Sequence, residues 1–330
     1  LLPGVQTNSI AAAMENAFHI APAVSGTIIV ILLGLIIFGG VRRIAQVTQI
    51  VVPFMALGYM LAAAVVVVLN IEQLPGVIVL IVSSAFGAEA GFGAMMGLAI
   101  QWGVKRGVYS NEAGQGTGPH AAAAAEVSHP AAQGLVQAFS VYIDTLFVCT
   151  ATALMILIAG TYNVTGADGA PVFTGLANIS AGTGFTQAAM ESVLPGFGAM
   201  FVAVALFFFA FTTVLAYYYI AETNLAYLTR NIRADGPMFG LRIALIGSAL
   251  YGCIRTSDLA WGLGDIGVGV MAWLNIFAVL ALRRPALLAL RDYEAQQAKG
   301  RLQPEFDPRP LGIENATWWV ERAQGRKRRA

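Results

Sequence analysis

The chain is poor in charge: 11% of its 330 residues are Asp, Glu, Lys or Arg, against about 25% in a water-soluble globule. That shortage excludes a soluble enzyme, and a chain this apolar is no disordered polymer. Cysteine is scarce too. Cys149 and Cys253 both lie in apolar stretches, which leaves no disulfide framework and no thiolate metal site. A net charge of +1 gives nucleic acid nothing to bind. No cleavable signal-peptide order occurs either.

What is abundant is apolar: 57% hydrophobic residues, with 36 Gly and 13 Pro. A membrane span needs roughly 20 mostly apolar residues. Seven stretches qualify or come close: Val24–Gly40, Val51–Asn70, Val77–Gly103, Gly134–Gly160, Phe197–Ala221, Met238–Cys253 and Leu259–Leu282. The basic residues follow alternate spans: Arg42 and Arg43, Lys105 and Arg106, Arg230 and Arg233, Arg283 and Arg284. Arg255 alone falls on the other side. The positive-inside rule therefore predicts a multi-pass membrane protein with a cytoplasmic C-terminus. Residues 285–330 read as a polar, basic, solvated tail ending in Arg326–Arg329. The chain opens at Leu1 in a segment that reads as the tail of an earlier helix, so further helices are expected upstream.

Four places break the rules of a simple membrane helix. The third span carries Gly87, Glu89, Gly91, Gly93 and Gly97 in its middle. Glycine costs a helix interior up to about 1 kcal/mol, and a mid-membrane carboxylate costs about 2.5–3.5 kcal/mol on insertion scales. Glycines alone could serve close packing; Glu89 favours an unwound segment lining a cavity. The fifth span sets Thr212 and Thr213 among aromatics. Helical threonines commonly bond a carbonyl one turn back, but two adjacent hydroxyls also suit a hard cation. Asp144 and Asp265 are further intramembrane carboxylates, with Thr145, Thr150 and Thr152 as nearby partners for the first. Asp265 is expected a turn or two from the outer end of its span.

Two other chemistries are weighed and set aside. The glycine-rich loop from Lys105 to His120 lacks the order of a phosphate cradle; it reads as a hinge in which Glu112 pairs with Lys105 or Arg106. His120 and His129 are too far apart for an i, i+4 metal pair. Gly262-Leu-Gly-Asp265 matches a protease-like GxGD pattern, but a shared-proton dyad needs its second carboxylate at the same depth, and Asp144 lies deeper.

The run Arg106-Gly-Val-Tyr-Ser-Asn-Glu-Ala-Gly114, then His129-Pro-Ala-Ala-Gln-Gly134, then Asp144-Thr-Leu-Phe-Val-Cys-Thr-Ala-Thr-Ala153 resembles the alanine/glycine:cation symporter family over roughly residues 1–284. The resemblance implies an all-α polytopic membrane protein with a five-plus-five inverted-repeat transporter core. On that map the chain holds the end of helix 3 and then helices 4 to 10, residues 1–284, with helices 1, 2 and most of 3 missing. It implies sodium-coupled uptake of alanine or glycine across a prokaryotic plasma membrane, no enzyme activity and no cofactor besides the coupling ion. The implied substrate-binding residues are Gln6, Ser84, Phe86, Gly87, Glu89, Gly91, Phe92 and Gly93. The implied sodium ligands are Phe209 (by its carbonyl), Thr212 and Thr213. Alternatives kept open are a proton-coupled carrier using Glu89 and a non-transporting sensor with the same fold. The chain by itself is expected to be inactive, because half of the implied site lies upstream.

Overall fold

The computed structural model describes residues 2–39, 41–86, 92–165, 170–177, 179, 182–231 and 235–327, without the side chains of 41–49, 92–99, 257, 326 and 327. In order they form α1 (Leu2–Phe18), α2 (Pro22–Ile37), α3 (Val41–Leu69), a 3₁₀ turn (Ile71–Gln73), α4 (Leu74–Phe86), α5 (Phe92–Asn111), α6 (Gly118–Ala124) and α7 (Pro130–Tyr142). A π-helical segment (Ile143–Cys149), α8 (Thr150–Ala159), β1 (Asn163–Thr165), β2 (Pro171–Thr174) and α9 (Thr183–Val193) follow. The chain then forms α10 (Gly198–Leu228), α11 (Asp235–Ile254), α12 (Ser257–Ala298) and α13 (Thr317–Lys327).

Helix is what lipid demands, since a helix satisfies its own backbone where no water can. Among the described residues five helices are long and apolar enough to cross a membrane, and Pro22–Ile37 and Ile71–Phe86 are shorter apolar helices. Six of the seven expected stretches thus have a helical counterpart, and the third is described as α4 and the start of α5, with residues 87–91 between them outside the described residues. Many large apolar side chains face outward, Phe54 at 77% and Leu274 at 67% exposed. In water these would be a liability; against acyl chains they are the ordinary surface. The antiparallel ribbon β1–β2 is an addition to the all-helical expectation. It lies in the loop after α8, whose end is marked by Gly160 at φ 65°, the left-handed cap that glycine adopts without strain.

The described residues fall into two units, Leu1–Lys105 with Thr145–Gly267, and Arg106–Asp144 with Val268–Ala330. In the first, α10 carries a buried cluster on each of two sides. Ile10, Ile29, Leu33, Leu215, Tyr218 and Ala249 join it to α1, α2 and α11. Tyr59, Val66, Met155, Met190 and Val202 join it to α3, α8 and α9. Polar bonds cross between helices. Thr7 Oγ1 donates to the Ala249 carbonyl at 2.7 Å, and Asn8 Nδ2 donates to the carbonyls of Gly252 (2.9 Å) and Arg255 (2.8 Å). Gln187 of α9 donates to the Ala13 carbonyl of α1 at 3.0 Å. Arg242, the basic residue inside the sixth stretch, donates to the Tyr218 hydroxyl at 3.0 Å, which donates to Glu222 at 2.8 Å.

In the second unit the chain after residue 285 is folded, with a few of its side chains packed against the rest of the unit. Helix α12 runs on through Pro285 for 42 residues, and the chain after it folds back. Phe306 is 4% exposed, and its N–H donates to the Ser128 carbonyl. Arg322 donates to the Val127 carbonyl at 2.7 Å. His129, 0% exposed, sits between the rings of Tyr293 and Phe306. The physical reason is composition: Phe306, Trp318 and Trp319 supply apolar surface that a segment judged by its charges hides.

The His129 ring is fixed by its partners. Nδ1 accepts the Ala131 N–H at 3.1 Å, capping α7, so the proton is on Nε2, which lies 3.2 Å from Asp292 Oδ2. Burial pushes the His129 pKa below its ordinary 6.5, with Asp292 partly opposing that shift.

Two outcomes follow. A Cβ at Gly252 would collide with the Gly4 backbone, whereas at Gly247 it would meet nothing within 4 Å. Gly252→Ala is expected to lose about 1–3 kcal/mol and Gly247→Ala none, read as thermal unfolding in detergent; equal midpoints would contradict the close approach of α1 and α11. The depressed His129 pKa means that released imidazole binds protons more readily than the buried ring. The contact's stability is therefore full above the ordinary value and falls as pH drops through it toward the lowered one. Amide exchange over residues 301–320, corrected for intrinsic rate, should quicken between about pH 8 and pH 5. His129→Asn, which still caps but does not titrate, should flatten that profile.

Candidate substrate and cation site

Helix α10 brings together the three residues expected to hold a cation. Thr212 is buried, 7% exposed, and its Oγ1 donates to the carbonyls of Phe208 (2.9 Å) and Phe209 (3.0 Å). Thr213 Oγ1 donates to the same Phe209 carbonyl at 2.9 Å. Three oxygens thus converge within one turn. A hydroxyl that has given its proton to a carbonyl keeps its lone pairs, so both threonines present only acceptor character outward, as a hard cation requires. The same geometry also satisfies each hydroxyl inside its own helix.

Phe209 is braced from behind. Its ring meets the Tyr59 ring edge-on, centroids 5.8 Å apart. The Tyr59 hydroxyl lies 2.6 Å from Thr152 Oγ1. Thr152 gives its own proton to the Val148 carbonyl at 2.9 Å, so Tyr59 is the donor. This chain from α3 to α8 was not legible from the sequence, where Tyr59 is one aromatic in an apolar run.

Of the expected substrate residues, Gln6, Ser84 and Phe86 have described side chains. Gln6 is half-buried on α1, which packs along α10. Ser84 is exposed and Phe86 is 63% exposed on α4, whose packing partner is α8. Gly87, Glu89 and Gly91 lie outside the described residues, as does any break there; Phe92 and Gly93 open α5. A cavity of about 440 Å³ is lined by Gly4, Gly247, Ser248, Tyr251 and Arg255, and among the described residues that line it none is an expected site residue.

The other carboxylates have partners different from those expected. Asp144, in the π-helical segment, accepts from Ser110 Oγ at 2.8 Å, while Thr150 and Thr152 of α8 donate back to the Thr145 and Val148 carbonyls of that segment. Ser110 sits in the Arg106–Gly114 run, so the signal was present, but the pairing spans 34 residues and no local pattern reveals it. Lys105 pairs with Asp265 at 2.7 Å instead of Glu112, because a carboxylate in an apolar helix is costly unless a cation meets it. The charge alternation sets these two residues at opposite ends of their spans, and the ion pair corrects that depth. An Asp265 held by Lys105 also suits no shared-proton dyad.

The glycine-rich loop is a packed turn. Glu112, Gly114 and Gly116 have positive φ, and Gln115, 2% exposed, donates back to the Val108 carbonyl at 2.6 Å. A Cβ at Gly116 would lie 3.2 Å from Asn275 Cβ, so glycine is required there twice over.

Comparison with known proteins agrees with a transporter. Residues 1–308 match the model of the sodium:alanine symporter family. A "putative sodium/proton-dependent alanine carrier protein", YrbD of Bacillus subtilis, is 61% identical over 319 residues, 97% of this chain and 66% of that protein. The "sodium/proton-dependent alanine carrier protein" of Bacillus sp. PS3 is 54% identical over 320 residues, 97% of this chain and 72% of its own. The "sodium/alanine symporter AgcS" of Methanococcus maripaludis is 40% identical over 280 residues, 84% and 58% of the two chains. The chain spans about two thirds of the length of the curated relatives it matches.

Proposed function

This chain belongs to the sodium:alanine symporter family, a family of membrane transporters, and on that premise we propose that the protein couples inward cation flow to uptake of alanine. The observation that carries the coupling is the oxygen cluster on α10, where Thr212 and Thr213 share the Phe209 carbonyl. Sodium is the cation that this donor set suits, being hard and oxygen-seeking. Each positive charge moving down 100 mV supplies about 2.3 kcal/mol, enough for roughly 50-fold accumulation before the ion gradient is counted.

The proposed mechanism is alternating access in a five-plus-five inverted-repeat core of a plasma-membrane protein. Backbone N–H groups of Gly87 and Gly91, which lie outside the described residues, and of Gly93 at the start of α5 are the groups assigned to the substrate carboxylate. Glu89 and Gln6 meet its ammonium, with Ser84 beside them. Phe86 and Phe92 cap the side-chain space, which leaves room for alanine and glycine. A second reading makes the proton the coupling ion, carried by Glu89. It is favoured by the word "proton" in the names of the two Bacillus relatives.

One experiment separates these readings. Labelled alanine uptake is followed in proteoliposomes under an inward sodium gradient or an inward proton gradient. Accumulation above equilibrium that requires sodium supports the first reading. Thr213→Ala should then raise the sodium needed for half-maximal uptake roughly tenfold, about 1.4 kcal/mol, while Glu89→Gln keeps uphill transport. Accumulation driven by protons alone and abolished by Glu89→Gln supports the second. Unchanged sodium dependence in Thr213→Ala sinks the cation assignment, and non-accumulating entry under both gradients sinks coupling altogether.

A further inference from the structure

The cavity beside α11 has no part in the transport scheme, and its chemistry changes along its length. On α11 it is lined by Ala244, Gly247, Ser248 and Tyr251, with Arg255 just past the helix end. These positions are three and four residues apart, so they share one face. Gly4 of α1 and the first two turns of α12 complete the lining. Ala244 and Gly247 bring no polar side chain to it. Ser248 adds a hydroxyl, Tyr251 a phenol and Arg255 a guanidinium. The space, about 440 Å³, is that of a small-ligand site, and it grades from apolar to cationic.

The gradient follows the membrane normal. Helix α11 supplies a candidate span of 20 residues, Asp235–Ile254, about 30 Å long at 1.5 Å per residue, which is the thickness of the hydrocarbon core. Arg255 comes directly after the last of them, where headgroups begin, and Tyr251, one turn deeper, is an aromatic of the kind that level favours. From Arg255 the lining runs about 16 Å back along α11 to Ala244. Gly247 is exposed and lies on one helical stripe with Ile243, Leu250 and Ile254, all exposed large apolar residues. On a membrane span such a stripe is the side that meets acyl chains, so the trough opens toward lipid.

Arg255 is held in place at the mouth. Its carbonyl accepts the Asn8 amide at 2.8 Å, and its guanidinium lies 5.0 Å from the centre of the Tyr251 ring. Among the described residues no carboxylate pairs with it. The planar fork of a guanidinium matches the oxygens of a phosphate.

We propose that this trough holds one acidic phospholipid, its phosphate on Arg255 and one acyl chain along Gly247 and Ala244. Net negative charge is what an uncompensated arginine selects, because a zwitterionic headgroup carries its own cation beside the phosphate. The inference rests on the membrane reading alone and is independent of the substrate and the coupling ion.

The test is native mass spectrometry of the whole chain in neutral detergent, with phosphatidylglycerol or phosphatidylcholine of equal chain length added. The expected spectrum shows one phosphatidylglycerol retained per chain at collision energies that strip phosphatidylcholine. Arg255→Gln should cut the retained fraction roughly tenfold, as loss of a charge-assisted bond does. Gly247→Leu should do the same with Arg255 intact: a Cβ there meets nothing within 4 Å, so the added side chain fills the trough. Neither variant touches the Gly4–Gly252 contact, and thermal midpoints without lipid should match that of the native chain. Equal retention of the two lipids, or phosphatidylglycerol retention that survives either variant, overturns the proposal. So does a lipid-free dimer that Gly247→Leu dissolves, which would make a second copy of the chain the occupant.

Discussion

Between α1 and α11 two backbones approach so closely at Gly4 and Gly252 that no side chain fits between them, and the first unit depends on that contact. Acyl chains are as apolar as leucine, so helices in lipid gain little by hiding leucine from it. What remains is dispersion at short range and hydrogen bonds that lipid cannot replace. Both are concentrated here, where Thr7 and Asn8 reach across to the Ala249, Gly252 and Arg255 carbonyls. With α1 held on one side by α11, its remaining surface lies along α10. Gln6 and the Thr212–Thr213 pair therefore sit on neighbouring helices because of a contact made elsewhere.

The threonines of α10 show how little separates structure from chemistry in a membrane helix. Thr27, Thr223 and Thr229 also donate to carbonyls four residues back, so a back-bonded hydroxyl carries no functional meaning alone. The difference at 212 and 213 is adjacency. Two neighbouring hydroxyls on a helix must diverge, and they converge only by sharing one carbonyl, that of Phe209. Tyr59, bonded to Thr152 and set edge-on to Phe209, restrains the residue that supplies that carbonyl.

The spans were the most legible part of the sequence, because lipid imposes one rule on every residue of a span and the rule shows in composition. The two threonines of the oxygen cluster were legible as well, being adjacent, while the Phe209 carbonyl came only with the family resemblance. What could not be read were pairings across long separations: Ser110 with Asp144, Lys105 with Asp265, His129 with Asp292. Each joins a polar side chain to a partner on another helix, and periodicity within one helix is silent on its neighbours. The packing within the tail was hidden for a different reason. Counting charges over residues 285–330 averages away Phe306 and Trp319, the few apolar residues on which its packing depends.

The π-helical segment at Ile143–Cys149 has a consequence for the whole stretch from Pro130 to Ala159. A ladder that closes on i+5 admits one extra residue per turn, and an α-helix advances about 100° per residue. Side chains beyond Cys149 are therefore rotated by about that angle from where an unbroken wheel drawn from Pro130 would set them. The stretch has two angular phases joined at a dislocation, and stripes of residues that look continuous along the sequence turn a corner there. Met155 and Ile158, buried, belong to the second phase.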